Sequence, residues 1–182
     1  VNTSALVLFY RGRGTDHAGR LITAIHNFDF RELEWTHDYI QWLFPLVTRS
    51  GFNDHAPLLT EEDRAAFHRE AVIRDHFRLS LAMMLEFYGF RDIGEGALQR
   101  TERWEERLDN WLTRENHNLL RITRILRSSM LCGFIPEARS FLDAVMKAAS
   151  ERPGVCGRSP EFWKSAVAAV PGPPDLPGPP AS

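Results

Sequence analysis

At 182 residues the chain is long enough for one hydrophobic core and too short for two comfortable domains. An apolar fraction of 43% with 25% charged residues argues against a disordered chain and against a membrane-embedded one. With 22 basic against 24 acidic residues the formal charge is only -2, so no overall electrostatic pull toward nucleic acid follows.

Lys147 and Lys164 are the only lysines. The other basic residues are arginines, whose planar fork suits carboxylate and phosphate better than an ammonium does. Cys132 and Cys156 are the only cysteines and no Cys-x-x-Cys spacing accompanies them, so a disulfide framework is excluded and thiols in a reducing cytoplasm are expected. The opening apolar run is followed, not preceded, by Arg11 and Arg13, which is the wrong order for a secretory signal. No run approaches the ~20 apolar residues of a transmembrane segment.

From the N-terminus, residues 1–17 read as a flexible or extended arm. Arg11-Gly12-Arg13-Gly14 forms a loop there whose spacing fits neither the P-loop nor the dinucleotide fingerprint. A first helix spans about His17 to His26 and buries Leu21, Ile22 and Ile25. The segment from about Phe30 to Phe44 carries the densest aromatic content and is expected to be one helix, ended by Pro45. On such a helix Glu34, His37, Asp38 and Gln41 share a face at i, i+3, i+4 and i+7, opposite Tyr39, Ile40, Trp42 and Leu43. Residues 45–59 form a loop in which Asn53, beside His55, is a turn or binding residue.

Thr60 with Glu61, Glu62 and Asp63 reads as a capped helix start. The next helix, about Val72 to Phe87, repeats Ile73, Phe77, Leu81 and Met84 near the helical period, adds apolar residues on further faces, and stops at Gly89. His68 and His76 are assigned to the surface by default. A loop from Arg91 to Ala97 precedes a helix with Trp104, Leu108, Trp111 and Leu112 as its apolar line. A helix from about Glu115 to Leu131 turns Leu119, Ile122, Ile125 and Leu126 inward and carries His117, Arg121, Arg124 and Ser128 on its other face. Pro136 opens a helix burying Phe141 and Val145, and Ser159-Pro160-Glu161 opens a last short one. The expected architecture is therefore all-α: a single globular multi-helix domain of about seven or eight helices over residues 18–170, with residues 171–182 as a disordered Pro/Gly-rich tail.

The run His37-Asp38-Tyr39-Ile40-Gln41-Trp42-Leu43-Phe44-Pro45 resembles the signature of the opioid growth factor receptor family's conserved domain. Asn53, Ala56-Pro57-Leu58, Met84-Leu85-Glu86-Phe87-Tyr88-Gly89 and the stretch from His117 to Leu126 resemble further segments of that domain in the same order. The resemblance implies peptide binding, since animal members of the family are described as receptors for the peptide Met-enkephalin that restrain cell growth.

The candidate ligand-binding set is Glu34, His37, Asp38, Gln41, Trp42, Asn53, His117, Arg121 and Arg124. Two readings fit it: a polar seam between two helices, in which arginines neutralise buried acids, or a pocket in which Arg121 and Arg124 hold an anionic group against aromatic walls. The ligand would be a peptide or another small anion. Glu34, His37 and His117 lack a compact metal-ligand spacing, no nucleophile elbow is present, and no catalytic residue, metal or cofactor is predicted. Two other classes compete with peptide binding. One is an intracellular protein or enzyme handling a small molecule or nucleotide with the same His and Arg groups, and the other is an interaction scaffold using its proline-rich tail.

Overall fold

The computed structural model of the protein describes residues 3–94, 96–168 and 172. The expected tail lies outside the described residues except for Gly172, whose carbonyl accepts a hydrogen bond from Arg64 at 2.8 Å. Ten helices and one small antiparallel hairpin make up the described chain: α1 (Ala5–Tyr10), α2 (Ile22–His26), α3 (Phe30–Trp35), α4 (Ile40–Leu43), α5 (Glu61–Arg69), α6 (Ala71–Tyr88), β1 (Phe90–Asp92), β2 (Leu98–Arg100), α7 (Trp104–Trp111), α8 (His117–Leu131), α9 (Ile135–Glu151) and α10 (Ser159–Ala168). The fold is all-α apart from that hairpin, which pairs Phe90 with Arg100 and Asp92 with Leu98 where the sequence reads as a plain loop. Among the described residues no helix is long and apolar enough to cross a membrane.

α6 lies at the centre, against α1, α2, α5, α7 and β1, while α8, α9 and α10 pack on one another. Its burial follows the expected period at Ile73, Phe77, Leu81 and Met84 and widens in the last turns to include Leu85, Phe87 and Tyr88. Gly89 ends it with φ of +89°, a left-handed conformation that suits glycine, and a Cβ there would come within 3.1 Å of Arg107 and Trp104. That close approach lets α7 dock on the end of α6.

The N-terminal arm expected over residues 1–17 is corrected by α1, which buries Leu6, Val7, Phe9 and Tyr10. Ser4 caps the helix by accepting from the Val7 amide, and its hydroxyl donates to Asp63 at the start of α5. Asp63 also completes the capping box with Thr60, so one buried carboxylate ties two helix starts together. The Tyr10 ring packs on Phe67 and Phe77, and its hydroxyl donates to the Leu43 carbonyl. Phe77 stacks in turn on Phe134, with ring centroids 4.4 Å apart. Each such ring contributes roughly 1.5–3 kcal/mol by burial, more than enough to hold a six-residue helix that would not persist alone.

The expected helix over Phe30–Phe44 is also corrected: it is broken into α3 and α4, with Thr36 in extended conformation at φ -88° and ψ 125°. The two halves make incompatible demands. α3 buries only Leu33 and leaves Trp35 73% exposed, whereas every residue from Tyr39 to Phe44 is buried. Six consecutive buried residues cannot continue the same amphipathic face. The chain therefore turns at residues 36–39 and drives the second half into the core.

His76 is half-buried and donates from Nδ1 to the Tyr10 carbonyl at 2.6 Å, which corrects its assignment to the surface. Ser80 donates its hydroxyl proton to the His76 carbonyl at 2.9 Å, so its oxygen is left to accept from His26 Nε2 at 2.8 Å. Burial, and secondarily His76, push the His26 pKa down to about 4. An unfolded histidine titrates near ~6.5, so on acidification the unfolded state takes up this proton first. The corresponding stability is present above about pH 6.5 and is lost as pH falls toward about 4. Urea unfolding across that window should show stability declining with acidity, and His26→Gln should flatten the slope. An unchanged slope would mean that the ring protonates in the folded state as readily as in the unfolded one.

Candidate functional site

Arg121, on α8, is buried to 6% exposure and reaches across to the end of α3. It donates to the carbonyls of Leu33 at 2.8 Å, Thr36 at 3.0 Å and Glu34 at 3.5 Å, and to Asn118 Oδ1 at 3.2 Å. Its guanidinium also lies 5.7 Å from the Tyr39 ring centroid. The last carbonyls of a helix have no partner within it, and here a cation from another helix supplies the donors. Glu34 is fixed beside this clamp, accepting from Asn118 Nδ2 at 3.0 Å and Asn110 Nδ2 at 3.2 Å. Its other oxygen lies 3.4 Å from His117 Nε2, and the His117 ring lies 5.2 Å from that of His37. Burial, then the Arg121 charge, hold the His117 pKa below its ordinary value against the opposing pull of Glu34.

A groove of about 850 Å³ opens beside the clamp, lined by His37, Gln41, His117, Arg121, Arg124 and Arg127 on its polar side. Ile40, Leu46, Phe52, Leu120 and Phe162 supply its apolar walls, with Thr123, Ser165 and Ala166 completing the lining. Among the described residues no carboxylate lines it. Arg124 donates to the Phe44 carbonyl at 3.1 Å, and burial lowers its pKa. Among the described residues no group of three or more His, Cys, Asp or Glu side chains is arranged to hold a metal ion.

Against known proteins, the conserved region described as "Opioid growth factor receptor (OGFr) conserved region" matches residues 14–150. The chain belongs to the opioid growth factor receptor family. It is 40% identical over 126 residues to the rat opioid growth factor receptor, a match covering 66% of this chain and 21% of that protein. The human opioid growth factor receptor is 37% identical over 147 residues, covering 78% of this chain and 21% of the relative. The mouse opioid growth factor receptor-like protein 1 is 43% identical over 101 residues, covering 55% and 21% respectively. The chain thus corresponds to about 21% of the length of these relatives. No solved structure matches it.

The run that resembles the family's signature, residues 37–45, is split between two environments. His37 and Gln41 face the groove with His117, Arg121 and Arg124, and Glu34 sits behind His117 without lining it. Asp38 and Trp42 turn to another cluster, which corrects the helical face that Asp38 was expected to share with Glu34, His37 and Gln41. Asp38 pairs with Arg20 at 2.7 Å and lies 3.3 Å from His17 Nε2, while Trp42 Nε1 donates to His17 Nδ1 at 3.1 Å. The break after α3 is the cause, because it rotates Asp38 away from Glu34 and His37. Buried Asp16 takes the second side of Arg20, so this cluster is a satisfied polar joint. Asn53 bridges the two environments, with its amide 3.3 Å from both the Asp38 carbonyl and Gln41 Oε1.

Phe52, Leu120, Phe162 and Arg127 are among the lining residues that sequence reasoning missed. Two of them carried a signal. Leu119–Leu120 and Phe162–Trp163 are adjacent apolar pairs on helices, and only one of each pair can face the core. Leu119 and Trp163 are the buried partners, leaving Leu120 and Phe162 for the groove.

The two arginines should therefore respond differently to mutation. Arg121→Met strands buried carbonyls and is expected to lower unfolding free energy by about 2–4 kcal/mol, whereas Arg124→Gln should cost less than about 1 kcal/mol. Parallel urea titrations measure both, and equal losses would mean that Arg124 is as structural as Arg121.

Proposed function

We propose that this domain binds a short peptide in the groove between the α3–α4 segment, the Phe52 loop, α8 and α10. The observation that carries the reading is the groove's composition: arginines and histidines on one side, aromatic and aliphatic side chains on the other, and, among the described residues, no lining carboxylate. Such a surface favours a ligand with an anionic group and apolar side chains, the combination a small peptide offers. Family membership supports the same reading, because relatives are named opioid growth factor receptors. Met-enkephalin, implied by the resemblance to that family, is the first peptide to test.

In this reading His37, Gln41, His117 and Arg124 contact the ligand together with Phe52, Leu120 and Phe162. Arg121 and Glu34 hold the frame. Asp38, Trp42 and Asn53 support it from the neighbouring joint. No residue is assigned a catalytic role. Cys132 and Cys156 are buried free thiols, which suits a reducing, cytoplasmic setting.

A ligand present at about a hundredfold above its Kd stabilises the folded state by about 2.7 kcal/mol, which corresponds to a rise in Tm of roughly 5 to 10 °C for a chain of this size. Thermal melts with Met-enkephalin should show that rise, and a peptide of the same composition in scrambled order should give less. No shift at millimolar peptide would sink the proposal.

A further inference from the structure

We infer that Arg124 is the specificity-determining residue of the groove, and that it selects ligands presenting a carboxylate next to an apolar side chain, as a peptide's free C-terminus does. The inference rests on the peptide-binding reading above.

The two arginines of α8 that looked equivalent in sequence differ in how their donors are used. Arg121 is engaged by the carbonyls of Leu33, Glu34 and Thr36 and by Asn118, so its fork is committed to the protein. Among the described residues Arg124 donates to one carbonyl, that of Phe44, and no carboxylate pairs with it. Glu34, beside the site, is itself held by Asn110 and Asn118 next to His117 and does not line the groove. A half-buried cation with donors to spare, in a lining that has no acid among the described residues, is one whose desolvation an incoming anion would offset. A planar guanidinium meets a carboxylate with two parallel hydrogen bonds, a geometry that an ammonium or a neutral amide cannot reproduce.

The apolar half of the requirement comes from Phe52, Leu120 and Phe162. Phe52 is 86% exposed, Leu120 57% and Phe162 51%, and all three line the same groove as Arg124. An aliphatic or aromatic side chain laid against them removes apolar surface from water on both sides. Charge and apolar area together describe the end of a short peptide better than they describe an inorganic anion, which would use the arginine and leave the aromatic surface uncovered. They also disfavour a polycationic partner, which the arginines would repel.

The test compares one peptide in two forms by titration calorimetry on the wild-type domain: Met-enkephalin as the free acid and as its C-terminal amide. The acid is expected to bind roughly ten- to a hundredfold more tightly, the range for a hydrogen bond to a charged group. Arg124→Gln should erase that preference by weakening the acid far more than the amide, and Arg124→Lys should restore part of it. A third ligand, the amidated peptide extended by one glutamate, distinguishes a terminal from a side-chain carboxylate, and recovered binding would extend the inference to both sources. Equal binding of acid and amide to the wild type overturns the inference while leaving peptide binding intact. Binding of neither form overturns the peptide-binding reading and this inference with it. Because the decisive comparison uses the wild-type chain, it stands even if a variant folds poorly.

Discussion

A single guanidinium joins the two most informative segments of the chain. Arg121 projects from α8 to the end of α3 and takes up the carbonyls of Leu33, which is buried, and of Glu34 and Thr36, which are partly buried. Tyr39 reinforces the same point by donating its hydroxyl to the Leu33 carbonyl at 3.0 Å. Helix ends buried without donors are expensive, so a clamp of this kind fixes where α3 stops. Once it stops, the residues from Tyr39 to Phe44 are released from the helical period and can all enter the core.

The groove is a consequence of that geometry. Turning the chain at residues 36–39 leaves His37 and Gln41 facing α8 and sends Asp38 and Trp42 to the opposite side, where Asp16, His17 and Arg20 meet them. Asp38 is drawn into the joint and Glu34 is locked behind the histidines, while Arg124 lies along an apolar trench. Separation of charge in this way gives a site its sign without a large net charge on the domain, which is only -2.

Much of this was legible in residue order. The long helices around α6, α8 and α9 follow from uninterrupted apolar periodicity, the end of α6 from Gly89, and the start of α5 from Thr60 and its acids. The spatial meeting of Glu34, His37, His117 and Arg121 was anticipated from complementary polar faces. Two things were not accessible to local reasoning. The docking of α1 depends on long-range partners, Phe67, Phe77 and Asp63, that give a short apolar segment a reason to be helical. The break between α3 and α4 depends on Arg121, more than eighty positions away, and periodicity over Phe30–Phe44 has no means of reporting a donor from another helix. A lone aromatic in a loop, Phe52, likewise gains its meaning only when Leu120 and Phe162 come alongside.

Amide hydrogen exchange on Arg121→Lys tests the clamp most directly, because lysine keeps the charge but lacks the planar fork. The amides of Thr36, Trp42, Leu43 and Phe44, which bond back to Glu32, Tyr39 and Ile40, report on the turn and on α4. If Arg121 sets the break and the groove, these amides should lose protection by a larger factor than those in the middle of α6, as expected for a local opening. Equal loss across the whole chain, or no loss at these amides, would contradict the central role given to that one side chain.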